Sequence, residues 1–463
     1  MAAMRVVTWN VNALAPVVEQ ATARFRGHVE AEARTRNEGD AGADDGAAVA
    51  GGASSRFSLE AQCLALLLRN RTDPDRDALG PYGTSSPDPL CVGLGGDVVC
   101  LQEAKLQDRN LTGTLARPPG YESFWSLCEV PGMLGRNGVV TYASAAWSPV
   151  DAFTCAQLLK DDPEVTKEDA GCSVWREGRM VATDHGRFVL VNVYVPNAGD
   201  RMRLPVKIRF LKAVRRLLDR LVAAGRHVML VGDVNVARCD ADVSRPFGDV
   251  RQRYGTDVMQ FMDDWLGKDG RNDDTGSPYV DLWREMHPKT TENYTVWEER
   301  TEARVRNEGA RIDYCICNRG LLPHVTGCGI NYGVPRKWSD HAPVWVELDF
   351  SNAGLSQEQL DTPCALSSLA MTRFDPDRRQ RKILNFFSAQ ERGADVAEDA
   401  GNVDPVVSGS GVALSRVKVD EIRPRLQPPA KKTRHSKKGA PAACAPPMQK
   451  GSIRTLFEAH RGN

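Results

Sequence analysis

Five short strings carry the residues that could do chemistry: "TWNVN" with Asn10 and Asn12, "LQE" with Glu103, "GDVN" with Asp233 and Asn235, "RIDY" with Asp313, and "SDH" with Asp340 and His341. Singly, each is the kind of string found in turns and helix caps. Together they place carboxylates, amides and one imidazole at the ends of apolar runs, where loops can bring them into one site. Glu103, Asp340, Asn10 and Asn12 offer hard oxygen donors, the set that suits Mg²⁺ better than a thiophilic metal. His341 could act as an imidazolium if Asp313 holds its other ring nitrogen, since a buried carboxylate fixes the tautomer and raises the pKa.

The runs that must position these residues read as a mixed α/β pattern. Short buried strands are expected at 4–12 and 97–103, further strands at 137–142, 179–184, 187–195 and 227–235, and final ones at 311–318 and 342–350. "FSLEAQCLALLLRN" has helical spacing. "KIRFLKAVRRLLDRLVAAG" is amphipathic, with Leu211, Val214, Leu218 and Leu221 on one face and Gly225 ending it. Helices are also expected near 255–267 and 279–286. Residues 20–56 and 71–96 are rich in Ala, Gly, charge and turn formers without an apolar period and read as disordered insertions.

The chain has 463 residues, 41% of them hydrophobic, enough for one large domain with additional segments. No stretch approaches twenty uncharged apolar residues, and the opening "MAAMRVVTWN" lacks a signal-peptide hydrophobic region, so a membrane partner is not expected. The 12 cysteines form no CxxC pair and are expected to be reduced thiols, as in cytoplasm or nucleus. Net charge is zero, but residues 371–463 hold 18 Lys and Arg against 10 Asp and Glu, which leaves 42 against 50 in residues 1–370. A core of net charge −8 disfavours broad electrostatic binding of nucleic acid, so any grip on phosphate should be local and metal-assisted.

The five motifs, in this order, with "NVYVPNAG" and "TEARVRNEGARIDY", resemble the exonuclease III family of class II AP endonucleases over roughly residues 4–350. The resemblance implies a four-layer α/β sandwich of the DNase I-like type in a nuclease domain of residues 1–350, followed by a disordered tail, 351–463. It also implies a monomer that hydrolyses phosphodiesters in double-stranded DNA at abasic sites or 3′ ends, with Mg²⁺ as cofactor and Mn²⁺ a possible substitute. Tyr194, Asp233, Asn235, Asp313 and His341 are then the catalytic set, Asp233 activating water and Asn235 donating to the phosphate. Asn10, Glu103, Asp233, Asn235, Asp340 and His341 are the candidate metal ligands. Asn12, Asn197 and Arg179 are the phosphate and DNA contacts.

The family's main abasic-site enzymes wall their sugar pocket with two aromatics, and the matching positions here are Val296 and Ala310. A wall without aromatics predicts weak abasic incision and better removal of 3′ nucleotides and 3′ blocking groups. Trp297 is expected in the core, and Asp200 stands where those enzymes carry an arginine. Two rival readings are a phosphoesterase of the same fold acting on inositol phosphates or lipids, and a catalytically weak repair scaffold.

In the tail, "QRKILNFF" sets Gln380, Ile383, Phe386 and Phe387 at the spacing of a box that binds the sliding clamp PCNA, one helical turn aiming its apolar side chains at one pocket. Residues 429–438, "PAKKTRHSKK", read as a nuclear-localisation or DNA-contacting run. Residues 450–457 repeat the box spacing with Ile453, Leu456 and Phe457, but with Lys450 in place of the glutamine. Beyond Phe387 only His435, Cys444 and His460 could ligate zinc, too few for a closed tetrahedral site.

Overall fold

Alternation of side chains along the strands decides this architecture. In the computed structural model, which describes residues 3–40, 58–70, 93–159, 162, 173–198, 202–268 and 276–351, strand β1 (Ala3–Asn10) leads by α1 (Leu14–Asp40) and α2 (Leu59–Arg69) to β2 (Val98–Gln102), β3 (Tyr121–Ser126), β4 (Val139–Ser144) and β5 (Asp151–Thr154). Then come β6 (Met180–Asp184), β7 (Val189–Tyr194), α3 (Leu204–Ala223), β8 (Val228–Asp233), α4 (Thr256–Leu266), β9 (Tyr279–Asp281) and α5 (Leu282–Met286). The last strands are β10 (Val296–Trp297), β11 (Gly309–Ala310), β12 (Asp313–Asn318), β13 (Val325–Ile330) and β14 (Val344–Asp349).

Two six-stranded sheets result, ordered β13-β14-β1-β2-β4-β3 and β5-β6-β7-β8-β12-β9, with β10 and β11 as a small separate pair. In each sheet one pair is parallel, β1 with β2 and β7 with β8, and the other pairs are antiparallel. Successive residues of a strand face opposite sides of its sheet. Thus Met4, Val6, Val98 and Cys100 of one sheet meet Leu190, Met229, Val231 and Cys315 of the other in a common core. Their sequence neighbours Val7, Trp9, Val99 and Leu101 pack under α1 and α2. Val191, Val193, Leu230 and Ile316 pack under α3 and α4. The order helix, sheet, sheet, helix is the expected four-layer sandwich.

α3 buries the expected face, Leu211, Val214, Leu218 and Leu221, each worth about 1.5–3 kcal/mol when fully removed from water. It stops at Gly225, whose φ of +76° suits glycine. Ser58 caps α2 by accepting from the Ala61 N–H at 3.2 Å.

Three expectations are corrected here. Residues 20–40 of the first presumed insertion are helical, because Ala, Glu and Arg favour helix and because Leu14, Val17, Val18, Ala21, Phe25 and Val29 make a buried stripe at helical spacing. Residues 279–281 are strand β9, paired with β12, and the helix begins only at Leu282. Residues 93–96 of the second presumed insertion are tied to α2 by the Leu94 and Gly96 N–H groups, which donate to Leu67 and Leu68 carbonyls at 2.8 and 3.0 Å. Residues 41–57 and 71–92, Asp200, and all tail motifs lie outside the described residues. Every cysteine among the described residues is a free thiol, and no described helix is long and apolar enough to cross a membrane.

Candidate active site

The same alternation that builds the core aims polar groups into one end of it. Asn10 closes β1, Gln102 closes β2 ahead of Glu103, Tyr194 closes β7, Asp233 closes β8 and Asp313 opens β12, all on the faces that meet between the sheets. Beneath them the Gln102 amide donates to Asn192 Oδ1 at 2.8 Å and to Thr8 Oγ1 at 2.9 Å, and Asn192 Nδ2 donates to the Val140 carbonyl at 3.0 Å. This polar layer joins the sheets just below the site, where each hydrogen bond is made in a low dielectric.

Three of the five motifs fold by one local device. Asn10 Oδ1 accepts from Asn12 N–H at 3.0 Å, Asp233 Oδ1 accepts from Asn235 N–H at 2.8 Å, and Ser339 Oγ accepts from His341 N–H at 3.0 Å. Side chain i thus caps the backbone of residue i+2. Asn12 and Asn235 follow in the left-handed region, at φ of +51° and +56°, where asparagine is among the most tolerant residues after glycine. Gly232 before Asp233 is required for a different reason: a Cβ there would sit 2.0 Å from the Val193 carbonyl oxygen.

Asn10 Nδ2 donates to Glu103 Oε1 at 2.9 Å and to Asp233 Oδ2 at 3.0 Å, bracing two carboxylates with one amide. Glu103 is partly buried, which by itself raises its pKa, but hydrogen bonds from Asn10 and Lys105 outweigh this and hold it below the usual range. Lys105 Nζ lies 2.8 Å from Glu103 Oε2 and also donates to Asn12 Oδ1. Asp233 is pushed up to about 7 by burial first and then by Asp313, its direct partner across the β8–β12 ladder, with His341 and Asn10 opposing.

His341 Nδ1 meets Asp313 Oδ2 at 2.8 Å. Burial alone would lower the imidazole pKa, but Asp313, through charge and hydrogen bond, with Asp233 and Asp340, raises it to about 10, so the ring is an imidazolium at neutral pH. Trp9 Nε1 donates to the His341 carbonyl at 3.1 Å, and Asp313 N–H donates to Thr295 Oγ1 at 3.2 Å, so both members of the pair are fixed from behind. Asp340 faces the cleft; its backbone carbonyl accepts from Trp297 N–H at 3.1 Å.

The donor set fits a hard divalent cation. Asp313 Oδ1 is buried with no hydrogen-bond partner, Glu103, Asp233 and Asp340 line the cleft, and Lys105 pairs with Glu103 as His341 does with Asp313. Atoms of Asp233, Asp313 and His341 also lie within 4.8 Å of one another. Glu103 and Asp340 line the same cleft and add oxygens of the kind such a cation takes.

Several expected roles change. Both Nδ2 hydrogens of Asn235 are engaged, by Val195 O at 3.0 Å and Asp233 Oδ2 at 3.1 Å, so Asn235 orients Asp233 rather than presenting its amide to a phosphate. The Asn10 amide likewise turns its NH₂, not its oxygen, to the carboxylates. Arg179, expected at the DNA, is 2% exposed; its Nε pairs with Glu177 at 2.7 Å and its guanidinium lies 4.9 Å from the Tyr194 ring centre. It holds Tyr194, whose hydroxyl meets Glu103 and whose pKa burial raises well above normal. Asn12 and Asn197 do line the cleft.

The cleft encloses about 810 Å³. Val296 lines it, whereas Ala310, its partner on β11, is wholly buried in the helix-side core. Trp297 is 2% exposed, as expected of a core residue, and donates to Asn307 Oδ1 at 3.1 Å, yet one edge reaches the cleft. The wall is not free of aromatics, because Phe247 and Tyr254 line another side.

Sequence reading missed Lys105, Thr295, Ser339 and Lys207. Only Lys207 left a signal: it stands four residues before Leu211 and seven before Val214, inside the apolar stripe of α3. It is 1% exposed, donates to the Asn235 carbonyl at 2.6 Å, and burial lowers its pKa to about 7.

Comparison with known proteins gives concordant results. The sequence model described as Endonuclease/Exonuclease/phosphatase family matches residues 7–341. DNA-(apurinic or apyrimidinic site) endonuclease 2 of Mus musculus is 30% identical over 344 residues, which cover 65% of this chain and 60% of that protein. Recombination repair protein 1 of Drosophila melanogaster is 29% identical over 251 residues, covering 54% and 32%. The solved APE2 catalytic domain of Xenopus laevis aligns with a TM-score of 0.50 at 22% identity, over 75% of this chain and 93% of that one, a likeness of fold. The chain thus spans about 60% of the length of its mouse relative.

Proposed function

The chain belongs to the endonuclease/exonuclease/phosphatase family, and from that premise we propose that it is a DNA-repair nuclease hydrolysing phosphodiesters in double-stranded DNA. It acts as a 3′-5′ exonuclease and 3′-phosphodiesterase, with weaker incision at abasic sites. The observation that carries the reading is the convergence of the Asn10–Glu103–Asp233 brace and the Asp313–His341 pair at one end of both sheets. The names of the relatives, an abasic-site endonuclease and a recombination repair protein, support DNA over lipid or inositol substrates.

In the mechanism, Asp233 accepts a proton from the attacking water, a task suited to a carboxylate poised near neutrality. Asn10 and Asn235 hold it in place. His341 keeps its Nδ1 proton on Asp313 and offers Nε2–H to a phosphoryl oxygen as negative charge builds there. Glu103 and Asp340 would hold Mg²⁺, for which Mn²⁺ could substitute. When bound, it would supply positive charge that offsets what builds on the phosphoryl oxygens and the leaving alkoxide. Tyr194 fixes Glu103, and Asn12 and Asn197 face the phosphate from the cleft edge. We further place the enzyme in the nucleus as a monomer recruited to PCNA through Gln380, Ile383, Phe386 and Phe387.

One preparation assayed on an abasic duplex, a matched recessed 3′ end and a 3′-phosphoglycolate end, in Mg²⁺, Mn²⁺ and EDTA, tests the reading. The expected result is metal-dependent trimming of both 3′ ends, faster than incision. Turnover of inositol phosphates or lipids with none of DNA would overturn it.

A further inference from the structure

Part of the cleft is lined by Ser244, Pro246, Phe247, Arg253 and Tyr254, from a segment with its own bracing. Phe247 N–H donates to Ser244 O at 2.9 Å, and Asp249 Oδ1 caps the following turn by accepting from Arg251 and Gln252 N–H at 2.7 and 3.2 Å. Gly248 and Gly255, each at φ of +82°, bracket that turn. The outcome is that Arg253, exposed, is set over Phe247 with its Cζ 3.8 Å from the ring centre, while Phe247, partly buried, packs on the helix-side core. Tyr254 continues the same wall, and Lys207 Nζ lies 5.5 Å from its ring centre.

A guanidinium laid on an aromatic ring is a flat, preorganised surface. The cleft is also lined by Glu298, Glu299 and Glu308, with Arg300. Those carboxylates repel a phosphate but accept hydrogen bonds from the amino groups of a neutral base. The floor of the cleft suits the phosphate, and this side pocket suits what hangs from the neighbouring sugar. We propose that Arg253 on Phe247, continued by Tyr254, is a stacking subsite for the nucleobase flanking the scissile phosphate. The subsite makes the enzyme prefer substrates that retain a base there, purines most. This rests on the nuclease reading above.

The test uses the full chain, a duplex with 2-aminopurine as its 3′-terminal nucleotide, and EDTA to prevent cleavage. The wild type should change the probe's fluorescence on binding, and Arg253→Ala and Phe247→Leu should each weaken binding about tenfold and abolish that change, the scale of one base-on-aromatic stack. Leucine keeps the core contact of Phe247, so loss of folding is not the cause. Arg253→Lys keeps the charge but loses the plane and should behave like alanine. Full recovery with lysine would mean a phosphate contact and overturn the proposal, as would wild-type affinity and fluorescence in Arg253→Ala. In Mg²⁺, the kcat/KM ratio of purine-ended to baseless 3′ ends should fall about tenfold in the same variants. If the wild type cleaves no DNA while the fluorescence response persists, the nuclease reading fails and the base subsite stands.

Discussion

The floor of the cleft and its walls are built by different means. Floor residues sit at the ends of paired strands, alternate with core residues, and brace one another: Asn10 spans Glu103 and Asp233, Asp313 holds His341, and Trp9, Thr295 and Ser339 hold them from behind. Wall residues come from short turns and two-residue strands, Arg245–Phe247, Val250–Tyr254, Val296–Trp297 and Glu299–Thr301. The floor cannot change without breaking sheets, whereas the walls can change residue by residue. Reaction type is therefore written in the scaffold and substrate choice in its rim.

This contrast can be broken or sharpened by experiment. The largest effect belongs to the floor: Glu103→Ala or Asp340→Ala should lower Mg²⁺-dependent hydrolysis by about 10³-fold with the thermal midpoint in EDTA little changed, since each supplies charge that matters in the transition state. Near-normal turnover by both would remove the floor from the chemistry. Next, Asp313→Asn should lower kcat on the order of 10²-fold, with KM changed less. The same substitution carries a pH signature. His341 is raised from 6.5 to about 10, so its contribution to stability is complete below pH 6.5 and is lost as pH climbs toward 10. Thermal melts in EDTA should show that decline in the wild type and a flatter profile in Asp313→Asn; parallel profiles would dissociate the pair from stability.

A determinant outside both regions comes third. Phe386→Ala with Phe387→Ala should weaken PCNA binding by about 30-fold or more, the cost of truncating buried aromatic anchors, and Phe457→Ala should do much less. Calorimetric titration decides, and equal losses would mean two comparable anchors. The smallest effect belongs to the wall. Val296→Phe should shift the ratio of abasic incision to exonuclease by only a few-fold, about the value of an added apolar contact. Ala310→Trp is a poor companion, because that side chain points into the core. An unmoved ratio would place the selecting wall elsewhere, Phe247 and Arg253 being the first place to look.

The contrast also explains what the sequence disclosed. Asn10, Glu103, Asp233, Asp313 and His341 were legible because period-two alternation announces a strand and its end, and the N-x-N and D-x-N strings carry their own turn. Lys105 and Thr295 were not, since nothing local distinguishes a lysine two residues past a glutamate or a threonine under a strand. The inward turn of Arg179 depends on Glu177, whose burial is a tertiary fact. The helix over 20–40 was hidden for the opposite reason: its alanines and charges look like linker until the stripe from Leu14 to Val29 is counted.

The pairing of β1 with β14 joins Thr8 to Val344, and the Trp9 indole reaches the His341 carbonyl, so the earliest and latest strands of the sandwich are neighbours. Synthesis from the N-terminus therefore leaves the Asp313–His341 pair and the strand that follows it for last. A product terminated between residues 234 and 340 carries Glu103 and Asp233 but neither His341 nor β14, the strand that pairs with both β1 and β13 in the first sheet. Such a product should be an inert, poorly folded polypeptide and not a nuclease with relaxed specificity. Under the proposed function, an interrupted chain of this kind should cleave no DNA, because chain topology alone withholds His341 and β14 until the end.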